Sequence, residues 1–136
     1  MGSSITSTIA TGITLGTPNA YSPLTITSTG HVTHSSAGTA IYGAYGTVAN
    51  HGSVIVSGGN AAKDFAISIA GAGSVANTGR ISSDGVAVGI YGGAYVTNTG
   101  SISGTRSGIA TQGGANVSNS GTILSSGTGV TLYGGG

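Results

Sequence analysis

Two carboxylates and three imidazoles are the side chains through which this chain could do acid–base or metal chemistry. It carries Asp64 and Asp84, no glutamate, no cysteine, and His31, His34 and His51. Glycoside hydrolysis needs two carboxyl groups held roughly 5–9.5 Å apart beside a groove. Asp64 lies in the stretch GGNAAKDF (58–65) with Lys63 beside it, while Asp84 and then Arg106 follow further along. Alternating charges of this kind read more simply as an exposed row of ion pairs, which carries little energy, so no catalytic residue is assigned. The three histidines have no carboxylate or thiolate neighbour to complete a ligand set, so neither a metal nor a cofactor is expected. Serine is abundant, but no G-x-S-x-G elbow positions one as a nucleophile and no G-K-[ST] closes a phosphate loop. The chain is read as not an enzyme.

Binding is carried better by Tyr42, Tyr91 and Tyr133. Each closes a short alternating segment, TAIYG (39–43), VGIYGG (88–93) or VTLYGG (130–135), and Ala70 and Gln112 take the corresponding place in two others. Facing outward, the three tyrosines would form a broken aromatic stripe able to stack on sugars or on a partner; turned sideways, they would only cover a corner. The pairs Thr27/Thr29, Thr97/Thr99 and Ser118/Ser120 hint at a flat hydroxyl face, but Ala49, His51 and Ala76 interrupt it.

The elements that must position these residues are repeats. ITSTGHV (26–32), VANHGSV (48–54), VANTGRI (75–81), VTNTGSI (96–102) and VSNSGTI (117–123) are variants of one unit, and the last three begin 21 residues apart. A fixed period of this size marks a stacked repeat architecture. Within V-x-N-x-G-x-I, alternation turns the Val and the Ile inward. Asn50, Asn77, Asn98 and Asn119, headed by Ser28, fall in one column whose amides can bond from coil to coil. The glycine column beside them implies a bend or close backbone approach. No segment has a helical apolar stripe, and 21 residues cannot build a four-stranded propeller blade. They do supply one short strand to each of three faces. The expected fold is therefore all-β: a single-stranded parallel β-helix, or β-solenoid, of about 5–6 coils of about 21 residues. Residues 1–23, with Pro18 and Pro23, are expected to form an N-terminal cap and first partial coil; coils follow at 24–47, 48–74, 75–95, 96–116 and 117–136.

Composition agrees with a folded scaffold. Of 136 residues 28 are glycine, yet 38% are hydrophobic, too many for a disordered polar tract. Three Lys and Arg and a net charge of +1 leave no basic footprint for nucleic acid. No apolar run is long enough to insert into a membrane as a helix. So little charge also favours association of like surfaces, and exposed strands at the end coils could pair with another copy.

The run TGITLGTPNAYSPLTITSTGHV (11–32), followed by V-x-N-x-G-x-I coils with GIYGGA-like ends, resembles the passenger of bacterial autotransporter and haemagglutinin-type adhesins. That resemblance implies a right-handed parallel β-helix, exported to the surface of a Gram-negative cell or secreted. Neither a signal peptide nor the family's translocator barrel is visible, so the chain reads as a fragment or engineered truncation. The expected function is that of a structural or adhesive passenger: a rigid rod that displays, extends or self-associates, with a host or surface glycan or protein as a further partner. The alternative is a carbohydrate-binding or carbohydrate-active β-helix, using Tyr42, Tyr91 and Tyr133 or the Asp64/Asp84 edge.

Overall fold

The structure, a computed structural model, describes residues 2–16 and 21–134. Glycine every few residues disfavours helix, and among the described residues the alternating Val and Ile instead form eighteen short strands in three parallel sheets of six. The first sheet holds β1 (Ser3–Ile5), β4 (Leu24–Ile26), β7 (Gly46–Asn50), β10 (Gly73–Asn77), β13 (Ala94–Asn98) and β16 (Ala115–Asn119). The second holds β2 (Thr8–Ile9), β5 (His31–His34), β8 (Ser53–Val56), β11 (Arg80–Ser83), β14 (Ser101–Gly104) and β17 (Thr122–Ser125). The third holds β3 (Ile13–Thr14), β6 (Thr39–Gly43), β9 (Phe65–Ile69), β12 (Val86–Ile90), β15 (Ser107–Thr111) and β18 (Thr128–Leu132). Every third strand returns to the same sheet one position further along, so the chain is a parallel β-solenoid of six coils. At the strand spacing of about 4.8 Å it is a rod roughly 25–30 Å long.

The core is a stack of columns. Val48, Val75 and Val96 pair in register on the first sheet, Val54, Ile81 and Ile102 on the second, and Ile67, Val88 and Ile109 on the third, all essentially without exposure. Each such side chain contributes about 1.5–3 kcal/mol by leaving water. At the corner after the first sheet, a Cβ on Gly52, Gly79, Gly100 or Gly121 would fall on the carbonyl oxygen of the glycine one coil back. Those carbonyls accept the amides of Arg80, Ser101 and Thr122 at 2.9 Å, so the backbone has no room to retreat.

Ser28 does not head the asparagine column. Leu24 pairs with Val48 and Ile26 with Asn50, so Ile26 takes that place and Ser28 lies in the corner beyond it. The cause is a local insertion of two residues: Thr27, Ser28 and Thr29 separate Ile26 from Gly30, where only His51 separates Asn50 from Gly52. Thr27 and Thr29 tie the widened corner down through hydroxyl bonds to the carbonyls of Ile5 and Thr6, at 3.1 and 2.9 Å.

Of the N-terminal segment, residues between Ser3 and Thr14 place one strand on each sheet; Pro18 lies outside the described residues. Among the described residues no helix is long and apolar enough to cross a membrane.

Gly100→Ala is expected to destabilise the fold by about 1–3 kcal/mol through overpacking against the Gly79 carbonyl. Gly129→Ala, where an added Cβ meets nothing within 4 Å, is expected to change it by less than about 0.5 kcal/mol. Denaturant unfolding of both variants checks the contrast.

Candidate functional site

Asp64 is built into the scaffold. The longest coil carries a loop between β8 and β9, and its last residue, Asp64, is wholly buried. One carboxylate oxygen accepts the Gly38 amide of the preceding coil at 2.9 Å; the other accepts the Asn60 amide of its own loop, also at 2.9 Å. The Asp64 carbonyl accepts the Ser83 hydroxyl at 3.0 Å and the Val86 amide at 2.8 Å from the next coil. A residue that pins three coils together with its carboxylate wholly buried is unavailable to a substrate. Asp84 accepts the Gly59 amide at 2.9 Å and holds the same loop from the other side. The row of ion pairs expected along this edge is replaced by carboxylate–amide bonds, because backbone donors of the loop reach both aspartates.

The histidines are also held singly. His31 bonds Ser53 through Nδ1 at 2.7 Å, His51 bonds Thr78 at 2.8 Å, and His34 Nδ1 meets the Ser36 carbonyl at 2.7 Å. Among the described residues no three His, Cys, Asp or Glu side chains come together as a metal site would require.

The three tyrosines do not share one column. Ile41 pairs with Ile67 and thence with Val88, which places Tyr42 beside Ser68 and Gly89. Tyr91 and Tyr133 follow two residues later in register, on either side of Gln112. The slip arises because Ala40 and Ile41, like Ala66 and Ile67 or Ala87 and Val88, are consecutive and both fully buried. Strict alternation fails at that point, and Thr39, with Phe65, Val86, Ser107 and Thr128 in its column, comes to lie on the outer face.

That outer face of the third sheet holds a cleft of about 350 Å³. Tyr91, Gln112 and Tyr133 form one wall and Phe65, Val86, Ser107 and Thr128 the other, with Ala110 and Thr131 between them. At one end the Phe65 and Tyr91 rings meet edge to face, centroids 6.5 Å apart, over Gly89. Burial pushes the Tyr91 phenol above its ordinary range, partly opposed by the positive charge of Arg106 at the cleft's rim.

Searches against protein-family models, curated proteins and solved structures find no match to this chain. Its functional surfaces therefore rest on their own geometry.

A second and larger groove, about 630 Å³, runs along the corner between the third and first sheets. Its floor is made of small residues, Gly46, Gly73, Ala94 and Ala115 in one column and Ala72, Gly93 and Gly114 in the next. Tyr45 and Tyr95, the two most exposed tyrosines, stand at its sides. Neither belongs to the aromatic stripe suggested by the repeats. The only sequence signal for them is the shared Gly-Ala-Tyr of GAYG (43–46) and GAYV (93–96), which falls two residues out of step between the coils.

Asp64→Asn is expected to cost about 1–3 kcal/mol, because an amide nitrogen would face a backbone N–H that now has an acceptor. Asp84→Asn, on a partly exposed carboxylate with a single amide partner, is expected to cost less. Thermal unfolding of the two variants measures the difference.

Proposed function

We propose that this chain is the rod of a structural or adhesive passenger, displayed on the surface of a Gram-negative cell or secreted, and that its end coils join one copy to the next. The resemblance of its coils to adhesin passengers supports the first half. The second half rests on one observation: the first and last coils present the same three-sheet cross-section.

At one end β1, β2 and β3 are the outermost strands of the three sheets; at the other, β16, β17 and β18 are. None of these six strands carries a charged residue, the usual guard against edge pairing. The columns also continue from one end to the other. Ile9 begins the column that Ile123 ends, and Ile13 begins the one that Val130 ends. Leu132 and Val130, inward by column, are left substantially exposed at the last coil. A second copy placed head to tail would cover them with its first coil and extend all three sheets. Such a contact does not close on itself, so it propagates into linear arrays.

The mechanism of a rod is geometry: it sets distance and presents what is attached to its outer faces. Sedimentation velocity across a concentration series tests the association. The sedimentation coefficient is expected to rise with concentration, and the Val117→Lys/Leu132→Lys double variant to stay monomeric with unchanged far-UV circular dichroism. A wild-type chain that sediments as a monomer at every concentration contradicts the end-to-end proposal.

A further inference from the structure

We propose that the cleft between Tyr91 and Tyr133 binds an anionic saccharide, with Arg106 taking the acid group. This goes beyond the rod reading and does not depend on end-to-end association.

The charge argument comes first. Arg106 sits in the turn between β14 and β15, exposed at the rim of the cleft, and its guanidinium makes no hydrogen bond or ion pair among the described residues. The two aspartates are the chain's only acidic side chains, and both accept backbone amides, Asp64 those of Gly38 and Asn60 and Asp84 that of Gly59. Neither carboxylate forms an ion pair with Arg106 among the described residues, so its guanidinium donors are free for a ligand. A planar guanidinium with free donors is suited to a carboxylate or sulfate, which it can grip through two parallel bonds.

The walls specify what carries the acid. Tyr91, Gln112 and Tyr133 sit on three successive coils, their amides donating to Ile69, Ile90 and Thr111. Two coil spacings separate the tyrosines by about 10 Å of backbone, with the Gln112 amide between them. Phe65 closes the Tyr91 end, so the open part of the cleft lies over Ala110 and Thr131, between Arg106 and Tyr133. Aromatic faces beside neutral hydrogen-bonding groups match a sugar ring, which has one apolar C–H face and a rim of hydroxyls. A volume of about 350 Å³ is near the lower end for small-ligand clefts, enough for a sugar unit rather than a folded partner. A peptide would bind most naturally by adding a strand, yet the strands under this cleft are paired on both sides, apart from β18 at the rod's end.

The acid could be a uronate carboxylate or a sulfate ester, and the test separates them. Isotope-labelled protein is titrated at low salt with trigalacturonate, a sulfated oligosaccharide and neutral maltotriose, following amide resonances. The expected result is shifts at Gln112, Thr128 and Thr131 with at least one acidic ligand, binding about tenfold or more tighter than maltotriose. The tighter acidic ligand identifies the acid. Arg106→Gln should bring that ligand down to the level of maltotriose, Tyr133→Ala should weaken it, and Arg80→Gln, on the second sheet, should leave it unchanged. Equal binding of neutral and acidic ligands, equal loss in Arg80→Gln and Arg106→Gln, or no shifts at millimolar ligand would each overturn the proposal.

Discussion

A side-chain amide buried in an apolar core has to find partners, and in this rod its shortest ones come from the next coil stacked in register. Asn50 donates to Asn77 Oδ1 at 2.7 Å, Asn77 to Asn98 at 2.8 Å and Asn98 to Asn119 at 2.7 Å. The same nitrogens reach the carbonyls of Arg80, Ser101 and Thr122 in the coil ahead, at 3.0–3.1 Å. A slip of one residue would turn each asparagine to the outer face and bring an outward residue into the core. The ladder therefore acts as a registry device. Apolar columns supply most of the stabilisation, but a Val over an Ile is nearly as content one position away. The ladder also has a direction: Asn50 Oδ1, facing Ile26, is buried without a donor among the described residues, which marks the coil where the regular stack begins.

Once register is set, the position of every outward side chain follows from its column and its coil. That explains which parts of the structure were legible in the sequence. The V-x-N-x-G-x-I unit, its inward Val and Ile and its glycine corner all lie where alternation is strict and the spacing is regular. Ser28 aligns with the asparagines by sequence because Leu24-Thr-Ile26-Thr-Ser28 alternates without a break, so either Leu24 or Ile26 can be set against Val48. Only the turn bonds of Thr27 and Thr29 decide between them. The tyrosine stripe failed for a related reason. A small residue at 40, 66 and 87 allows two consecutive side chains to enter the core, and period two then loses count.

Residues outside the repeat were legible only in kind. Asp64 and Asp84 looked like an edge of surface charge, since a sequence shows carboxylates but not the loop amides that fold back to meet them. Tyr45 and Tyr95 gave no stripe because they lie in different columns on opposite sides of a corner. The division is physical. Columns that repeat build a stiff, neutral support, and what distinguishes one face from another comes from single residues: Arg106 with no ion pair among the described residues, Tyr91 and Tyr133 flanking Gln112, and the apolar side chains uncovered on the last coil.

A double-mutant cycle on Asn77→Ala and Asn98→Ala tests most directly whether the ladder holds the coils in register. Each single variant breaks the amide bond between them, so loss of the second partner should cost less once the first is gone. The account predicts a coupling energy of about 1 kcal/mol or more from denaturant unfolding. Costs that add to within about 0.3 kcal/mol would contradict it and leave the apolar columns alone to fix the register.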